Sequence, residues 1–255
     1  MTGSARRRTE HSRYGERVPL VAAAVCPHPP LLVPEVAAAA APELDDLRAA
    51  CDIAVRGLLT TDPDAVVLLG AGPATGPILP PATGSLQPWG VDLDVPLTPG
   101  QPDRGAVLPL SLTIGAWLLA RHRVRPPVTA VQVAADAGPA ELAALADQIS
   151  AVGARVALLV LGDGSACRGE KSPGYDDPRA RPYDQRVATA LAGADLDVLL
   201  DLDPGLSAEL KAAGRAPWQV LAGAARSAGR RWRGELLHDA APYGVAYFVA
   251  SWEPA

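Results

Sequence analysis

Near-continuous apolar runs alternate with amphipathic stretches along this chain. Pro19 to Val25, Asp64 to Leu69, Val128 to Ala134 and Arg155 to Leu161 are dominated by Val, Leu, Ile and Ala, as strands buried on both faces of a sheet require. Between them, Pro34 to Leu59 carries Leu44, Leu47, Cys51, Val55 and Leu58 at three- and four-residue spacing. Glu43, Asp45 and Asp46 come early in that stretch, where a helix dipole favours them, so it predicts one long helix. Leu108 to His122 and Pro139 to Val152 predict two more. Strand and helix in alternation imply an α/β fold with a mainly parallel or mixed central sheet flanked by helices.

After Leu161 the rhythm changes. Helices are expected at Tyr183 to Ala192, around Gly205 to Ala213 and at Pro217 to Ala228. Trp232 to His238 and Gly244 to Ser251, split by Asp239-Ala240-Ala241-Pro242-Tyr243, read as an antiparallel C-terminal strand pair. Gly70 to Gly105 is rich in Gly and Pro and too long for an ordinary connection. It is expected to be a covering loop that walls a cleft, with a short strand near Val91 to Val95.

With 49% hydrophobic residues, 255 residues are enough for one large core, so residues 17 to 255 are expected to form a single domain. Residues 1 to 16 hold Arg6, Arg7, Arg8 and Arg13 without an apolar face and are expected to be a disordered basic tail. The net charge of −5, with no basic stripe beyond the first seventeen residues, argues against a nucleic-acid partner. Frequent Ala, and Arg far in excess of Lys, suggest a GC-rich bacterial genome. Cys26, Cys51 and Cys167 form no CxxC pair and no disulfide framework, which fits a reducing cytoplasm. The apolar run Val18 to Val25 is too short, and Val25 too bulky before Cys26, for a lipoprotein signal. No run approaches the roughly 20 apolar residues of a membrane span. A cytoplasmic protein with no membrane partner is therefore expected.

The candidate chemistry starts at Val25-Cys26-Pro27-His28-Pro29-Pro30-Leu31-Leu32-Val33-Pro34-Glu35, which sets a histidine in a proline-stiffened turn at the end of a buried strand. Open α/β sheets bind ligands at that end. Three further stretches matter: Leu161-Gly162-Asp163-Gly164-Ser165-Ala166, then Pro173-Gly174-Tyr175-Asp176 with Tyr183-Asp184, and Ala241-Pro242-Tyr243-Gly244-Val245-Ala246-Tyr247-Phe248-Val249-Ala250. Together these motifs resemble those of the class III extradiol ring-cleavage dioxygenases and the Memo-like proteins of the same superfamily. The resemblance covers about residues 19 to 252. It implies an Fe(II) site of two histidines and a carboxylate beside an acid–base histidine.

Under that resemblance His28 matches the first ligand. The second histidine falls near Gly70-Ala71-Gly72, the carboxylate at Ala240 and the acid–base histidine at Ala166, none of which carries the needed side chain. His238, two residues before Ala240, shares its strand face at about 6.5–7 Å, while Asp239 projects oppositely. With Asp163 or Cys167, His28 and His238 make up a set acceptable to zinc. His28 is otherwise a turn residue bonding a buried carbonyl, and Cys26 and Cys51 are small apolar packing residues. The pocket residues expected to converge are His28, Asp163, Ala166, Cys167, His238 and Ala240. The resemblance thus implies a degenerate, possible pseudoenzyme member that keeps a pocket for a small aromatic molecule or a scaffold role. The alternative is a metal-dependent oxidoreductase opening a catechol-like ring through a rearranged Fe(II) or Zn site, with His28 and His238 as metal ligands. Oligomeric state is left open.

Overall fold

The computed structural model describes residues 20–100 and 105–255; the expected basic tail lies outside them. Four parallel strands make the centre of the sheet: β1 (Leu20–Cys26), β2 (Ala65–Gly72), β7 (Val128–Ala134) and β8 (Val156–Leu161). The short β3 (Gly76–Ile78) caps one edge antiparallel to β7. On the other side β10 (Tyr247–Pro254) runs antiparallel to β1, and β9 (Trp232–Ala240) antiparallel to β10. The order is β3-β7-β2-β8-β1-β10-β9, a mixed seven-stranded sheet with the expected antiparallel C-terminal pair.

Side chains alternate between two cores. Val25, Val67, Leu69, Leu158 and Val160 face α4 (Pro139–Ser150), α5 (Ala180–Gly193) and α8 (Arg215–Ser227). Ala24, Cys26, Leu68, Leu159 and Leu161 face α2 (Asp45–Thr60) and α3 (Leu110–Ala120). Both faces are therefore dry, which is why the strand sequences are apolar without alternation. Two short helices, α6 (Leu196–Leu200) and α7 (Pro204–Glu209), bridge α5 to α8, each N-capped by an aspartate side chain, Asp195 and Asp203. Among the described residues no helix is long and apolar enough to cross a membrane.

The fold departs from expectation in two places. Pro34 to Leu59 is not one helix: α1 (Pro34–Ala37) ends at Ala38, whose φ is 48°, and a 3-10 stretch over Ala38–Leu44 precedes α2. Pro42 lies inside the 3-10 stretch, and proline removes an N–H and crowds the preceding turn, so the α geometry restarts only after it. The Gly- and Pro-rich segment after Gly72 is not simply a loop. It forms β3 and a three-stranded sheet of β4 (Ala82–Ser85), β5 (Asp94–Pro96) and β6 (Ala106–Val107), whose Val95 joins Leu86 and Leu97 in the α3-side core. Strands of two to four residues are too short to show a period.

Candidate functional site

Backbone hydrogen bonds gather three distant segments at the carboxyl end of the central strands. The N–H of Gly162 donates to the Cys26 carbonyl at 3.0 Å, joining the post-β8 loop to the end of β1. That loop then zips onto the β9–β10 turn: Gly164 N–H to the Ala246 carbonyl (2.8 Å), Ala246 N–H to the Ser165 carbonyl (2.9 Å) and Arg168 N–H to the Gly244 carbonyl (3.0 Å). Close approach is possible because a Cβ at Gly164 would strike Phe248, Ala246 and Asp184. Gly244 is also required, at a φ of +76° that side chains other than glycine rarely adopt.

His28 sits at the first of these junctions, 8% exposed. Its backbone N–H donates to Asp163 Oδ1 at 2.8 Å, and its ring Nδ1 lies 3.6 Å from the same oxygen, too far for a hydrogen bond. The buried Nδ1 has no hydrogen-bond partner among the described residues, so the ring does not bond a turn carbonyl. Burial holds the Asp163 carboxyl above the usual carboxylate range, with His28 pulling it back down. The Tyr247 phenol, 3% exposed, is pushed upward chiefly by burial and further by the Asp163 charge. Tyr247 belongs to the α2–α3 side of the sheet.

The other metal-site positions are structurally filled or turned elsewhere. A Cβ at Gly70 would collide with the Ser111 side chain on α3, whose hydroxyl donates to the Ala71 carbonyl at 2.5 Å. Ala71 is in register with Val133, which belongs to the opposite core. A Cβ at Gly72 would meet Gln132. Ala166 is tied away by its backbone, N–H to the Leu210 carbonyl and carbonyl to the Gly174 N–H. Cys167 is 1% exposed, its thiol directed at the carbonyls of Gly174 (3.4 Å) and Leu210 (3.5 Å), and burial raises its pKa.

A bulge at Leu237 sets the faces of β9: Leu236 pairs with Ala250, but His238 pairs with Val249, Asp239 with Phe248 and Ala240 with Tyr247. His238 and Ala240 consequently share the α2 side with Val249 and Tyr247, whereas Asp239 joins Phe248 on the α5 side. Burial lowers the pKa of His238 against the opposing pull of Asp239 and Asp46. So His28 and Asp163 come together, while the Cys167 thiol and the Ala166 backbone N–H are both directed at the Leu210 carbonyl at the end of α7. Among the described residues no three His, Cys, Asp or Glu side chains group closely enough to hold a metal ion. The side chains present therefore do not fit an Fe(II) or Zn centre of the kind the resemblance implies.

On the α5 side lies a cavity of about 470 Å³, lined by Arg168, Arg181, Pro182, Asp184, Gln185, Asp239 and Ala240. Asp184 is 2% exposed and both its oxygens are occupied by Ser165: Oδ1 accepts the backbone N–H at 2.8 Å and Oδ2 the hydroxyl at 2.6 Å. Burial raises its pKa against these hydrogen bonds and the Arg168 charge. Arg168 does not stand out by composition or spacing, and Tyr247 is visible only as part of the closing motif. Asp184 is visible in the Tyr183-Asp184 motif, but nothing in the motif reveals that it faces a cavity.

No family model and no curated protein sequence matches the chain. Among solved structures, the crystal structure of the uncharacterized protein JW3007 from Escherichia coli K12 is similar, with a TM-score of 0.51 and 15% identity over 91% of this chain and 99% of that one. At that identity the likeness extends to the fold alone.

Proposed function

We propose that this chain is a class III extradiol dioxygenase-like protein that binds a small aromatic molecule without cleaving it. The observation that carries the reading is at Gly70: where the resemblance asks for a second histidine ligand, the Ser111 side chain of α3 occupies the space a Cβ would need. His28 alone cannot hold an open-sided iron, because affinity for such an ion comes from several ligands acting together. The ligand seat is the α5-side cavity beside Asp239 at the carboxyl end of the sheet, across the sheet from the Tyr247 face. Its volume of about 470 Å³ suits one small ring with substituents.

The test is to incubate the protein with Fe(II) and catechol in air and follow the absorbance of ring-opened product, alongside thermal shift with catechol and 3,4-dihydroxybenzoate. Stabilisation by at least one of these without product formation is expected. Product formation lost in both His28→Ala and His238→Ala would replace this reading with an oxidoreductase working through a rearranged site.

A further inference from the structure

We propose that the α5-side cavity takes a monocarboxylate, and that Arg168 is the residue that binds it. The inference rests on the ligand-binding reading above and adds the group the ligand must carry. Arg168 lines the cavity with its side chain 21% exposed, yet it makes no side-chain hydrogen bond among the described residues. Its Nε is fully buried and unpartnered, and its nearest carboxylate oxygen, Asp184 Oδ2, is 3.8 Å from Nη1, beyond hydrogen-bond reach. The Asp184 oxygens are instead hydrogen-bonded by the Ser165 backbone N–H and hydroxyl.

A guanidinium presents a planar fork of donors, and leaving it largely desolvated with a carboxylate only at the 3.8 Å ion-pair distance of Asp184, and no direct hydrogen bond, is unfavourable. An external carboxylate supplies two acceptor oxygens in the matching geometry. Arg181, at the rim of the same cavity, adds a second positive charge. The carboxylates of Asp184 and Asp239 on the same walls offset the two arginines, so the walls are neutral overall and the ligand is seated by the Arg168 fork rather than by net charge: one negative charge is accommodated more readily than the two of a phosphate dianion. The Arg168 backbone is fixed through its hydrogen bond to the Gly244 carbonyl, which anchors the base of the side chain at the cavity wall.

The test is calorimetric titration of the full chain with benzoate, 3,4-dihydroxybenzoate, catechol and inorganic phosphate. The two acids should bind more tightly than catechol, and phosphate more weakly than benzoate. Arg168→Gln should weaken the acids by about tenfold or more while leaving catechol unchanged, since a hydrogen bond to a charged group is at stake. Arg168→Lys should recover only part of the loss, because an ammonium lacks the fork. Circular dichroism of both variants checks that the fold persists, and Arg181→Gln, at an exposed position, gives an independent and smaller loss. Catechol binding as tightly as 3,4-dihydroxybenzoate, with Arg168→Gln having no effect, would overturn the carboxylate assignment and leave the ligand-binding reading intact. Phosphate binding more tightly than benzoate would also overturn it. Absence of binding by all four compounds at millimolar concentration would remove both.

Discussion

A single oxygen, Asp163 Oδ1, accepts the backbone N–H of His28 at 2.8 Å and faces the His28 ring Nδ1 at 3.6 Å. Residues 135 positions apart are thereby fixed to one another at the mouth of the sheet. The carboxylate is what orients the Pro27-His28-Pro29 turn, since prolines on either side of His28 have no N–H to offer. Asp163→Ala should therefore cost about 1–3 kcal/mol by stranding a buried N–H, whereas Asp163→Asn, which keeps an acceptor, should cost less. Chemical denaturation of the two variants side by side checks the difference.

The same residue predicts a pH dependence. Burial raises the folded-state pKa of Asp163 above its unfolded value of about 3.9, so the folded state binds its proton more readily. Stability from this group is fully present below the unfolded value and is lost as pH rises through the folded one. Relative to Asp163→Asn, the wild-type chain should gain stability as pH falls from neutral toward about 4. Other titrating groups, including Asp184, largely cancel in the comparison. A difference that is flat, or that moves the opposite way, would show that Asp163 is not a buried acid.

Restoring a histidine at the second ligand position should damage the fold. Gly70→Ala already forces a Cβ into the Ser111 side chain, and Gly70→His adds a ring, so losses of about 1–3 kcal/mol or more are expected. Ser111→Gly should recover part of the loss in Gly70→Ala, which a double-mutant cycle measures. Equal stability of Gly70→His and wild type would mean that the space is open.

Cys26, Cys51 and Cys167 are 0%, 0% and 1% exposed; the neighbouring Cys26 thiol and then burial push the Cys51 thiol up, and burial pushes up that of Cys167. Thiolate, not thiol, is the reactive species. Native protein should leave these three thiols unmodified by Ellman's reagent until denaturant is added. Rapid labelling of one thiol in native protein would place Cys167 in an accessible site.

The fold was legible wherever burial extended along a whole element. Val128 to Ala134 and the run ending at Leu161 are read directly as strands because both faces of the sheet are dry. The break at Pro42 and the small β4–β5–β6 sheet were not, since a 3-10 stretch and strands of two to four residues leave no period. At the site, the neighbourhood of His28 and Asp163 follows from two strand-end motifs. The cavity does not: the meeting of Arg168, Asp184 and Asp239 depends on a bulge at Leu237 and on the loop zipping onto Gly244 and Ala246, both of which are tertiary.

The central claim is that this chain keeps the strand-end site without the ligands for a ring-opening iron. Iron stoichiometry measures it most directly: load the untagged protein anaerobically with Fe(II), remove free metal, and quantify what remains bound in wild type and His28→Ala. The account predicts substoichiometric iron, equal in the two proteins. One iron per chain in wild type, lost in His28→Ala, would contradict it.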